Sequence, residues 1–114
     1  MFLPMNRYNA KRTNMYKATF SSVVMLGSYT DFQPGSNQYR WLVSDLKKVD
    51  RNKTPWLVVL IHAPWYNSNY AHQGEIQSVG MMDAMEGLLY KARVDVVLAG
   101  HVHAYERFVS YFYG

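Results

Sequence analysis

The 114-residue chain contains no cysteine, which excludes a disulfide framework and any metal site built on thiolates. Its longest apolar run is residues 56–61, far short of the roughly 20 residues of a bilayer-spanning helix, so no membrane segment is expected. The opening residues lack an apolar stretch long enough for a signal-peptide core, so no secretion signal is expected in the chain as it stands. Charged residues are scarce at 18% against 49% hydrophobic, which excludes a disordered or acidic solvating tail and suits one modest folded domain. Acidic residues are missing altogether before Asp31, where Arg7, Lys11, Arg12 and Lys17 supply the whole net charge of +4. Four charges without an adjoining recognition motif read as a solvated, loosely ordered lead-in, and no nucleic-acid partner is expected.

From residue 20 the punctuation alternates strands with helices. Residues 20–26 (FSSVVML) are β-branched and apolar enough for a strand, with Gly27 as its exit. Ser36 can cap a helix whose apolar positions Tyr39, Leu42, Leu46 and Val49 recur at three- and four-residue steps. The run 56–61 (WLVVLI) reads as a strand covered on both faces. The polar, aromatic stretch 63–74 is long for a connection, which points to function. Ser78 is the expected cap of a second helix with Met81, Met85, Leu88 and Ala92 on one stripe, the methionines serving as core filling. Residues 94–99 (VDVVLA) read as another buried strand, ended by Gly100. The order strand-helix-strand-helix-strand, with no internal repeat, favours an α/β sheet with right-handed crossovers.

All four histidines lie between residues 62 and 103. His62 ends one predicted strand, and His101 and His103 follow another across Gly100. Open α/β sheets bind ligands beyond the carboxyl ends of their strands, so neighbouring parallel strands would bring these three imidazoles to one spot. A lone histidine is usually a satisfied core or surface residue. Three at strand ends point instead to a metal site, for which imidazole suits zinc, iron, copper or nickel. His72, inside the 63–74 stretch, reads on its own as a solvated loop imidazole.

Longer blocks are more specific. LGSYTDF (26–32), VLIHAPWYNSN (59–69), AHQGE (71–75) and GHVHAYER (100–107) resemble consecutive blocks of the plant-type purple acid phosphatases, which are calcineurin-like binuclear metallophosphoesterases. The G-H-x-H pattern alone marks the superfamily; the Trp-Tyr-Asn-Ser and Tyr-Glu-Arg contexts narrow it. The resemblance covers about residues 20–109 and implies a partial metallophosphoesterase β-sandwich with flanking helices. It implies hydrolysis of phosphate monoesters with Fe(III) paired to a divalent metal, zinc, manganese or iron. It assigns His62 and His101 to the divalent metal, His103 to the iron, and His72 to the substrate phosphate and protonation of the leaving group. Under it the loop-imidazole reading of His72 gives way to the substrate role. Tyr66, Asn67, Tyr105, Glu106 and Arg107 become supporting or packing residues.

Three blocks of that family, D-x-G, G-D-x-x-Y and G-N-H-[DE], do not occur in the chain. They would supply the iron-binding Asp and Tyr, the bridging Asp, the asparagine on the divalent metal and another substrate histidine. The expectation is therefore the C-terminal half of a catalytic domain over 20–109, behind a poorly matching basic lead-in over 1–19 and before a divergent tail over 110–114. Such a chain is expected to hold zinc weakly at most and to hydrolyse phosphate esters feebly or not at all. The alternative is a noncatalytic metal-binding or interaction module that associates with a full-length homologue through an open sheet edge. The resemblance implies a secreted or vacuolar location, and Asn52-Lys53-Thr54 is a formal glycosylation sequon, weakened by Pro55.

Overall fold

The computed structural model describes residues 14–17 and 20–109. Along the chain run β1 (Asn14–Lys17), β2 (Ser21–Met25), α1 (Asn37–Leu46), β3 (Trp56–Leu60), α2 (Ile76–Lys91) and β4 (Val96–Leu98). The strands form one sheet in the order β1-β2-β3-β4, with β2, β3 and β4 parallel and β1 antiparallel to β2. The α/β class and the alternation from residue 20 onward agree with the sequence reading. β1 does not: part of the supposed loose lead-in is a strand, with Lys17 in register with Ser22. Arg7, Lys11, Arg12 and the 110–114 tail lie outside the described residues.

Local chemistry sets the helix starts. Ser36 caps α1 as its sequence suggests, its Oγ accepting the Tyr39 backbone N–H at 3.2 Å. The expected Ser78 cap of α2 is corrected. Gly74, at φ +71°, turns the chain into the helix early, and the Glu75 carbonyl takes the N–H groups of both Ser78 and Val79. Glu75 is thus the cap, and Ser78 lies buried inside the first turn.

A single apolar cluster joins Val24 of β2, Leu57 and Val59 of β3, Leu42 of α1, and Met81, Met85 and Leu89 of α2. Both helices therefore cover one face of the sheet, as successive crossovers of one hand between sequential parallel strands require. The other face is thinly covered. Val58 and Leu60 are half-buried, and Val96, Val97 and Leu98 of β4 are 42%, 38% and 54% exposed. Two expectations change here: 56–61 is covered on one face only, and the 94–99 strand is not buried. Apolar composition records what a strand would bury against, whereas burial needs the opposing layer itself. No helix among the described residues is long and apolar enough to cross a membrane.

Candidate functional site

β3 and β4 are parallel neighbours with Leu60 in register with Leu98, so the residues just beyond both strands emerge at the same end. Ser28, buried at the exit of β2, accepts the backbone N–H groups of His62 and Ala63 on its Oγ at 3.2 and 3.0 Å. Gly100 donates its N–H to the His62 carbonyl at 3.0 Å. His101 follows at φ +68°, and the Val102 N–H closes onto the Gly100 carbonyl at 2.8 Å, a three-residue turn of the rare positive-φ kind. His72 also has a positive φ of +63°. Left-handed non-glycine residues cost about 1–3 kcal/mol each and gather at functional sites.

The side chains converge more tightly than the backbone demands. His62 Nε2 lies 3.0 Å from His101 Nδ1, with the rings 4.9 Å apart and 65° inclined. On its other side His101 Nε2 is 3.0 Å from Glu75 Oε2, while His72 Nδ1 is 2.6 Å from Glu75 Oε1. The His72 and His101 ring centroids are 3.9 Å apart. An ionised carboxylate only accepts, so His72 donates through Nδ1 and His101 through Nε2; neutral His101 then accepts at Nδ1, and His62 donates from Nε2. The bonds from His72 first, and from His101, hold the Glu75 carboxyl below its ordinary range against the opposing effect of desolvation.

Two donor groupings share His101. His72, Glu75 and His101 each offer one ligand atom, and these atoms lie within 4.8 Å of one another. Across the ring, the 3.0 Å spacing to His62 is close to the roughly 3.3 Å between two imidazole nitrogens on one tetrahedral zinc ion. This set of imidazoles and one carboxylate suits zinc or a similar divalent ion. It does not fit Fe(III), which favours more hard oxygen donors than Glu75 alone provides. Of the predicted residues, then, His62, His72 and His101 come together, while His103 is exposed and contributes no atom to the His72, Glu75 and His101 group. Glu75 was not singled out by sequence reasoning. The available signal was its three-residue step from His72, with a glycine just before it.

Two more carboxylates hold the 63–74 stretch in place. Glu106 accepts the Ser68 hydroxyl and, at 3.1 Å, the Ser68 N–H; these bonds keep its pKa low. Tyr66 donates its hydroxyl to Glu86 of α2, and this bond, aided by burial, pushes the Tyr66 pKa up to about 12.

The sequence matches the calcineurin-like phosphoesterase family model over residues 5–105. Probable purple acid phosphatase 20 of Arabidopsis thaliana is 71% identical over 86 residues, which are 75% of this chain and 20% of that protein. Purple acid phosphatase 15 of the same plant is 46% identical over 106 residues, 91% of this chain and 20% of its own length. A solved purple acid phosphatase from yellow lupin seeds superposes with a TM-score of 0.74 at 26% identity, covering 90% of this chain and 18% of that one. The chain spans about a fifth of the length of these relatives.

Proposed function

The chain belongs to the calcineurin-like phosphoesterase family, and from that premise we propose that its histidine cluster is the part of a phosphate-monoester hydrolase site that holds a divalent ion and meets the substrate. The observation that carries this reading is the 3.0 Å approach of His62 Nε2 to His101 Nδ1 beyond the carboxyl ends of adjacent parallel strands. His62 and His101 are the ligands of the divalent ion, and His103 is the ligand that the resemblance gives to Fe(III). Likeness to the plant purple acid phosphatases supports acid phosphatase as the activity class, phosphate monoesters as substrates, and a secreted or vacuolar location. In the complete site, zinc, manganese or iron would accompany Fe(III).

When bound, the divalent ion supplies Lewis-acid polarisation of a phosphoryl oxygen and lowers the pKa of a water. The chain's own residues do the rest. Glu75 takes the Nδ1 proton of His72 in a hydrogen bond, so His72 Nε2 can bond to a phosphoryl or leaving-group oxygen and, when protonated, deliver its proton to the departing oxygen. Glu75 also holds His101 with its proton on Nε2, which keeps the Nδ1 lone pair available as a ligand. Glu106 and Glu86 tie down the stretch that carries His72, and so limit how far its imidazole can stray from the substrate.

Taken alone, this chain is a feeble hydrolase or none, because residues 20–109 correspond to the C-terminal half of a catalytic domain and contain no seat for Fe(III) beyond His103. The exposed β4 favours a second reading, a noncatalytic module that pairs through that edge with a full-length homologue. Calorimetric titration with zinc tests the metal site: weak binding is expected for the chain and none for the His62→Ala, His101→Ala double variant, and equal binding by both overturns it. Hydrolysis of an aryl phosphate at mildly acidic pH after loading with iron and zinc is expected to match that of the double variant. Turnover that the double substitution abolishes would show that the isolated chain is an enzyme.

A further inference from the structure

A cavity of about 280 Å³ opens between the 63–74 stretch and the first turns of α2, with Trp65, Asn67, His72, Gln73, Ser78 and Val79 in its lining. Trp65 and Ser78 are 8% and 4% exposed, and neither Trp65 Nε1 nor Ser78 Oγ has a hydrogen-bond partner. Buried polar groups are nearly always paired, and two orphans lining one cavity call for an occupant. The neighbours are paired. Asn67 Nδ2 donates to the Ala71 carbonyl at 2.7 Å, Asn67 Oδ1 accepts the Asn69 N–H at 2.9 Å, and His72 Nδ1 is held by Glu75. No lysine, arginine, aspartate or glutamate lines the cavity, so a charged group gains no counter-charge there. A hydroxyl answers both orphans, since its oxygen accepts the Trp65 N–H while its hydrogen is donated to Ser78 Oγ. The indole and Val79 supply apolar wall for a short carbon skeleton, and the volume is at the small end for ligand pockets.

His72 belongs both to this cavity and to the histidine cluster. We propose that the cavity is a leaving-group subsite that selects phosphate monoesters of small, uncharged polyhydroxy alcohols. The inference rests on the phosphate-site reading above, with His72 as the point where phosphate and leaving group meet.

The test follows the indole N–H resonance of Trp65 and the ring resonances of His72 by NMR in the full chain. Trp65 is told from Trp41 and Trp56 by single Trp→Phe substitutions. The probes are glycerol, glycerol 2-phosphate, phenyl phosphate and inorganic phosphate. Glycerol and glycerol 2-phosphate are expected to shift the Trp65 indole resonance, the phosphate ester at lower concentration, and Ser78→Ala is expected to raise both midpoints about fivefold, the worth of one hydrogen bond. An indole resonance unmoved by either probe, with inorganic phosphate still shifting His72, overturns the subsite and leaves the phosphate site standing. A Trp65 response to glycerol without any His72 response to phosphate upholds the subsite and removes the phosphate reading. A response from water exchange alone, identical with every probe, also overturns it.

Discussion

Removing one buried hydroxyl at the base of β3 should cost this fold far more than removing two. Ser22 Oγ and Thr54 Oγ1 lie 2.7 Å apart, with Ser22 fully buried and Thr54 only 6% exposed. The pair joins the start of β2 to the turn that launches β3. Thr54→Val deletes one partner and leaves the Ser22 hydroxyl orphaned in the core, a cost of about 1–3 kcal/mol. Ser22→Ala is milder, because Thr54 Oγ1 can still donate to the Asp50 carbonyl at 3.3 Å. We expect about 2 kcal/mol for Thr54→Val, about 1 for Ser22→Ala, and a double variant little worse than either alone, because the double change leaves no orphan. The coupling between the two sites is then about 1–2 kcal/mol. Urea unfolding of the four proteins, followed by circular dichroism, measures it. A double variant that loses the sum of the two single losses would refute the argument, as would a Thr54→Val protein as stable as the parent.

Glu75→Gln should weaken zinc binding about 10- to 100-fold in chelator competition, because the amide cannot take both imidazole N–H groups and His101 loses its fixed tautomer. Asp95 has its pKa lowered by the Arg51 guanidinium first and then by the Leu57 N–H, so its contribution to stability is complete above the ordinary carboxylate value of about 3.9 and is lost as pH falls through the lower folded value; Asp95→Asn should flatten that acid limb of the stability curve. Tyr66, held at about 12, should be a late tyrosine to ionise in an ultraviolet titration, and its stabilisation, complete below the ordinary pKa near 10, should vanish as pH rises through 12; Tyr66→Phe removes that step. Gly100→Ala should leave thermal stability nearly unchanged, since an added Cβ would meet nothing closer than His62 Nδ1 at 3.8 Å, whereas Gly27→Ala should destabilise, since its Cβ would fall 2.1 Å from Thr30 Oγ1.

The elements that were legible in the sequence are those whose signal is local. Ser36 caps α1 because a serine before a periodic apolar run needs no distant partner, and the short β-branched runs at β2 and β3 form strands wherever a neighbour exists. β1 was hidden because its four residues, Asn14–Lys17, gain their conformation from pairing with β2. The same limit applies to the site. His62 and His101 could be placed together because strand ends are readable and parallel strands share an end. Glu75 could not, since its approach to His101 spans 26 positions and depends on how Gly74 turns the chain into α2. The exposed β4 shows the converse error: its composition is that of a covered strand, but composition says nothing about whether the covering layer belongs to these residues.

The same contacts that assemble the histidine pair also limit how firmly it can hold a metal. Glu75 already keeps His101 in the tautomer a metal needs, with the Nδ1 lone pair turned to His62. His62 is in the wrong one, because its Nε2 proton makes the hydrogen bond that draws the two rings to 3.0 Å. A divalent ion must displace that bond and send the proton to His62 Nδ1 before it can bind both nitrogens. Gly100 and Ser28 do not oppose this change, since they hold the His62 backbone and leave its ring free to exchange tautomers. The backbone thus places the ligands at nearly the correct spacing, while the hydrogen bond between them competes with the ion, which is a physical reason for these residues alone to bind zinc weakly.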